Sequence, residues 1–240
     1  MRFPTGHKVS EEVYQAIRFV TKVGVMSRST WYELFGSGSL RWKQKQLQRL
    51  IELGIFKSHP CLHVDDVMTI GDFGKKLIEE KKWSSVPSVS AQFIEHDEIV
   101  ARGVWKLEQQ GICRRWLTDK EMKRSGSKNF QLNTKDIGSK FPDIVFQLNR
   151  LEQLDVVAVE YEKTAKSNWR YNKAIKSYSE SLEFDRVLYI VESKAIEQSV
   201  KRAMRFIGDS NLNRKIFFIQ SEDWKQNPIT ALGGSMQKVA

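Results

Sequence analysis

Asp143, Glu160 and Glu162 are the residues whose types and spacing suit chemistry. Asp143 stands in Phe141-Pro142-Asp143-Ile144-Val145-Phe146, and the glutamates close the run Asp155-Val156-Val157-Ala158-Val159-Glu160-Tyr161-Glu162. Both segments read as apolar strands joined by a short loop. Buried strands exclude charge unless it is paired or coordinates a metal. Glu160 and Glu162 are two apart and share one strand face. Hard carboxylate oxygens suit Mg²⁺ or Mn²⁺, and such an ion activates water against a phosphodiester. Glu121, just upstream, is a candidate outer ligand; Thr118-Asp119-Lys120-Glu121 also fits a capping box, in which its carboxylate returns to the first amide.

The surrounding chain favours a polyanionic substrate. With 39 Lys and Arg against 29 Asp and Glu, the net charge is +10 and the isoelectric point about 9.5. Nucleic acid is the partner this balance expects ahead of an anionic membrane. No run of about 18 apolar residues is present, and the opening residues lack the apolar core of a signal peptide. A cytoplasmic protein without membrane insertion is expected. Cys61 and Cys113 are far apart and read as reduced thiols. His59, Cys61 and His63 alternate along a short strand and lack a fourth ligand for zinc. His96, beside Asp97 on a helix, reads as a packing or capping residue.

Two domains are expected, residues 1–85 and 86–240, divided where charge gives way to Ser, Val and Pro after Lys82. In the first, Ser10 precedes a helix over 10–23 with Val13, Ile17 and Val20 on its inner stripe. A short helix follows over 29–35. Gly36-Ser37-Gly38-Ser39 then leads into a third helix over 40–53, with Leu40, Leu47, Leu50 and Ile51 inward and Gly54 as its stop. Arg41, Lys43, Gln44, Lys45 and Arg49 are expected on its DNA-facing surface. Strands over 55–58 and 62–70 and a helix over 71–80 complete the pattern of a winged helix-turn-helix.

The second domain is expected to open on a helix over 93–110, then a short strand over 113–117, then the two acidic strands. A helix over 169–181, strands over 186–193 and 215–221, and a helix between them over 194–207 follow. Near-continuous apolar strands alternating with helices imply a sheet with parallel pairs, covered on both faces. The carboxylates would lie at one end of it.

This order, with Pro142-Asp143 and Glu160-Tyr161-Glu162-Lys163, resembles the PD-(D/E)xK restriction-endonuclease-like fold. That resemblance implies an α/β domain in which Asp143 and Glu160 bind Mg²⁺. It also implies a positive group at or near position 162, which here is Glu162. Lys163 should face away on a regular strand, and Lys166 is the candidate that swings back.

Together with the winged helix and with Arg170-Tyr171-Asn172-Lys173-Ala174-Ile175-Lys176-Ser177-Tyr178, the chain resembles MobC-type conjugative relaxases of the replication-relaxation family. The resemblance implies a bacterial plasmid-mobilisation protein. It would bind double-stranded DNA at a transfer origin, work with a second mobilisation protein and nick one strand with a metal-dependent centre. Asp143, Glu160, Glu162 and Lys166 are its implied catalytic residues, with Glu121 a further ligand candidate. Lys173 and Tyr178 match family positions in the helix that follows. A metal-activated water is preferred as nucleophile over Tyr161, Tyr171 or Tyr178. A replication initiator or regulator with an inactive nuclease-like domain is the alternative, and a double-strand restriction or transposon-end endonuclease is a third reading.

Overall fold

The computed structural model describes residues 9–61, 65–87, 90–125, 141–149 and 154–237. The chain divides into two compact units, Met1–Glu98 and Ile99–Ala240. The division falls beyond the Ser85 boundary expected from composition. Part of the reason is local: the Val86 amide donates to the Thr21 carbonyl at 2.9 Å, tying that segment to the first unit.

The first unit runs α1 (Glu11–Val23), β1 (Met26–Ser27), α2 (Arg28–Leu34), α3 (Leu40–Glu52), β2 (Phe56–His59), β3 (Val67–Ile70) and α4 (Asp72–Lys81). The expected wing start at Leu62 and His63 lies outside the described residues. The strands form an antiparallel sheet in the order β1-β3-β2. The inner stripe of α1 is buried at Val13, Ile17 and Val20, as the helical period requires. Ser39 caps α3, its hydroxyl accepting from the Trp42 amide. Gly54, at φ +70°, takes the left-handed conformation that glycine adopts without strain, and the helix stops there. Leu47 and Leu50 are buried, but Leu40 is 59% exposed, against its expected inward placement. The reason is that α3 first engages α2 a turn later, where the Trp31 indole donates to the Lys43 carbonyl.

The second unit runs α5 (Ile94–Gln109, which begins before the division), β4 (Cys113–Thr118), α6 (Asp119–Ser125), β5 (Ile144–Asn149), β6 (Leu154–Glu162) and α7 (Asn168–Glu180). It continues with β7 (Arg186–Val191), α8 (Lys194–Ile207), α9 (Leu212–Lys215), β8 (Ile216–Gln220), α10 (Ser221–Gln226) and α11 (Pro228–Gln237). Among the described residues these strands make one five-stranded sheet, β4-β5-β6-β7-β8. The pairs β4/β5 and β5/β6 are antiparallel, and β6/β7 and β7/β8 parallel. The parallel pairs are joined by the crossovers α7 and α8-α9, as parallel strands demand. One sheet face carries Val145, Ala158, Val187, Val191 and Ile216 into a core with Tyr171, Ile175 and Tyr178 of α7 and Ile196, Val200 and Ala203 of α8. Gly103 on α5 admits Trp224 of α10: a Cβ there would stand 2.2 Å from the indole, whose N–H donates to the Ile99 carbonyl at 3.1 Å. No helix among the described residues is long and apolar enough to cross a membrane.

Candidate functional site

Strand register assembles the acidic residues. Asp143 immediately precedes β5 and Glu160 follows Val159, the partner of Ile144, so the two carboxylates occupy the next rung of an antiparallel ladder. The Asp143 amide donates to the Val159 carbonyl at 3.0 Å, and its Oδ2 accepts from the Tyr161 amide at 2.8 Å. Asp143 therefore completes the end of the ladder with its side chain. On β6 the alternation sends Glu160 and Glu162 to the helix-covered face, with exposures of only 1% and 3%.

Both buried glutamates have a donor, and α7 and the loop before it supply them. The Tyr178 hydroxyl donates to Glu160 Oε1 at 2.6 Å. The Lys166 ammonium donates to Glu162 Oε1 at 2.6 Å. Lys166 thus swings back as expected, from a loop position two residues ahead of the helix. Its own amide donates to the Tyr171 hydroxyl at 3.2 Å. Lys163 is exposed. Tyr161 points to the other face, where its hydroxyl donates to Glu192.

Sequence reasoning missed Tyr189. It pairs in register with Glu160 across the parallel β6/β7 ladder, so its ring stands beside the carboxylate on the same face. Its hydroxyl is buried and has no hydrogen-bond partner among the described residues. Burial first, and then the negative charge of Glu160, pushes the Tyr189 and Tyr178 phenols well above their ordinary value of 10.0. Both stay protonated at neutral pH, which makes Tyr178 a donor to Glu160 and neither a ready nucleophile. The signal that could have found Tyr189 was its place in Val187-Leu188-Tyr189-Ile190-Val191, a polar tip inside an apolar strand.

The set of four carboxylate ligands contracts in the structure. Glu121 belongs to the capping box: its Oε2 accepts from the Thr118 amide at 3.0 Å, and its own amide donates to Thr118 Oγ1 at 3.3 Å. Glu162 is held by Lys166. Among the described residues no group of three or more His, Cys, Asp or Glu side chains is arranged to hold a metal ion. Asp143, which is partly exposed, and Glu160 remain as a cross-strand carboxylate pair. Such a pair fits Mg²⁺ or Mn²⁺, because Mg²⁺ is commonly held by one or two carboxylates, with waters and substrate phosphates filling its other positions.

In the first unit, Arg41, Gln44, Lys45 and Arg49 of α3 are exposed. Arg41 and Lys45 lie one turn apart on the face opposite Leu47 and Leu50. Lys43 is not on that surface. Its stem packs over Gly36, and its ammonium donates to the Tyr32 carbonyl at 2.5 Å, so it holds the end of α2. His59 Nε2 pairs with Thr69 Oγ1 at 2.9 Å across the β2/β3 ladder, and His63 lies outside the described residues. His96 Nδ1 stands 3.1 Å from Asp97. Glu98, which the sequence reading passed over, is a buried carboxylate whose Oε1 accepts from the Ser27 amide at 2.6 Å.

The fold and site define a mixed α/β protein with a buried acidic cluster at one end of its larger sheet. Comparison with protein-family models, curated proteins and solved structures finds no match for the chain.

Proposed function

We propose that this chain is a DNA-nicking enzyme of plasmid mobilisation, with a winged helix that binds a transfer origin and a PD-(D/E)xK-like domain that cleaves one strand. The observation that carries the reading is the cross-strand pair Asp143 and Glu160 with Lys166 brought back to the neighbouring Glu162. It is framed by the element order α5-β4-α6-β5-β6-α7-β7, with strand pairs antiparallel and then parallel. The order α1-β1-α2-α3-β2-β3, with its small antiparallel sheet, supports the winged-helix half, and the net charge of +10 supports a nucleic-acid partner.

In this reading Asp143 and Glu160 would hold Mg²⁺ or Mn²⁺. The ion, when bound, polarises the phosphate and lowers the pKa of water. Water attacks phosphorus in line, the bond to the 3′ oxygen breaks, and the nick carries a 5′-phosphate and a 3′-hydroxyl. Lys166 is the cation that meets the charge building on phosphorus. Glu162 keeps that ammonium in place, Tyr178 fixes Glu160, and a second mobilisation protein is the expected partner.

The test is incubation with supercoiled plasmid carrying the cognate origin, with Mg²⁺ and with or without the partner protein. Open circles that disappear in Asp143→Ala and Lys166→Met are expected. Linear product would indicate a double-strand endonuclease instead. The second reading, a DNA-binding initiator or regulator with an inactive domain, is favoured by the internal pairing of Glu160 with Tyr178 and of Glu162 with Lys166. Specific binding without cleavage under every condition would establish it and end the enzyme reading.

A further inference from the structure

We propose that the ring of Trp169 is a stacking platform for an unpaired nucleobase, so that the acidic site works on DNA whose strands have been separated. The proposal rests on the nuclease reading above. Trp169 is 70% exposed, whereas Trp105, Trp116 and Trp224 of the same unit are exposed by 2% or less. The exposure follows from helix geometry. Tyr171, Ile175 and Tyr178 form the buried stripe of α7, and Trp169 stands two positions before Tyr171, roughly 200° around the helix. The outward stripe is Trp169, Lys173 and Lys176, at i, i+4 and i+7. The Lys173 ammonium lies over the Trp169 ring, 5.7 Å from its centroid, and Arg170 beside it is exposed.

Chain connectivity keeps this platform near Lys166. Trp169 is three residues from Lys166, whose ammonium lies on Glu162, and three residues reach at most about 11 Å. The same helix holds Glu160 through Tyr178. A duplex keeps its base faces stacked inside and offers only groove edges and phosphates. A flat indole presented to water between cations is instead matched to an unstacked base, with the flanking phosphates drawn to Arg170 and Lys173.

The experiment measures fluorescence anisotropy of a short labelled oligothymidine and of a labelled duplex. Chelator is present throughout, so that binding is read apart from cleavage, and the proteins are wild type, Trp169→Ala and Trp169→Phe. Trp169→Ala is expected to weaken single-strand binding about tenfold and leave duplex affinity within about twofold, with Trp169→Phe retaining most of the single-strand affinity. Unchanged single-strand affinity in Trp169→Ala, or an equal loss for both ligands, would overturn the proposal. Single-strand binding that depends on Trp169 in a protein that never nicks plasmid would keep the platform and remove the nuclease. Origin nicking with single-strand binding indifferent to Trp169 would do the reverse.

Discussion

Replacing Tyr178 by Phe removes one oxygen and asks what its hydrogen bond to Glu160 contributes. Glu160 is 1% exposed, Tyr178 is 5% exposed, and the hydroxyl stands 2.6 Å from the carboxylate. A hydrogen bond to a charged group contributes roughly 1.5–3 kcal/mol, and leaving the buried acceptor without it costs at the upper end of that range. Tyr178→Phe is therefore expected to lower stability by about 2 kcal/mol, close to a thirtyfold change in the folding constant. For a chain of this size that corresponds to a fall in Tm of about 4–8 °C. Urea unfolding followed by circular dichroism, with Glu160→Gln and the double variant, closes a cycle whose coupling should be about 1–2 kcal/mol. The contribution has a pH window. Because burial raises the phenol above its ordinary value of 10.0, the term is complete below that pH and fades only as the pH rises beyond it, through the folded-state value. A coupling below about 0.5 kcal/mol would refute the reasoning, since distant, independent substitutions add to within that margin.

Tyr189→Phe should act in the opposite sense, because the hydroxyl it removes is buried without a partner among the described residues; urea unfolding is expected to show a gain of about 1 kcal/mol. Gly103→Ala places a methyl group 2.2 Å from the Trp224 ring, and thermal denaturation should register a loss of about 3 kcal/mol from overpacking. Arg41→Ala with Lys45→Ala should weaken duplex binding and reduce the slope of log affinity against log salt by about 1.8, or about 0.9 for each phosphate contact. Burial raises the Glu98 carboxyl against the opposing hydrogen bond from Ser27. Its contribution is therefore greatest below the unfolded-state value and is lost as pH rises through the folded-state value. Glu98→Gln should flatten that part of a Tm profile taken from about pH 4 to 7.

Local periodicity and cap chemistry were legible in the chain. The helix expected over 194–207 is α8, Lys194–Ile207, because its Ser193 cap, apolar stripe and terminal Gly208 all agree. Thr118 and Glu121 form the capping box that their spacing indicates. The apolar runs ending in Glu162 and Val191 lie parallel, as continuous hydrophobic strands separated by a helix should. What was not legible depends on partners distant in sequence. Glu98 is matched to a backbone amide 71 residues away, and Tyr189 meets Glu160 only through the register that the α7 crossover imposes. Lys43 looks like its basic neighbours in a helical projection. Only the packing of α3 on α2 turns its stem inward to the Tyr32 carbonyl. Leu40 misleads for the complementary reason, since its period matches the apolar stripe while among the described residues its side chain stays 59% exposed.

The charges at positions 162 and 166 follow from the same distinction between strand and loop. A lysine on β6 at that position would be directed by the strand into the helix-covered face, where Glu162 is 3% exposed, and its ammonium would be costly to bury. This chain places a carboxylate there and brings the cation from the loop, where the Lys166 side chain keeps 27% of its surface. The Lys166 ammonium pairs with the buried Glu162 carboxylate at 2.6 Å, and its long stem lets it remain near solvent. In the nicking reading proposed above, Glu162 would be a positioning residue and Lys166 the group that meets a phosphate.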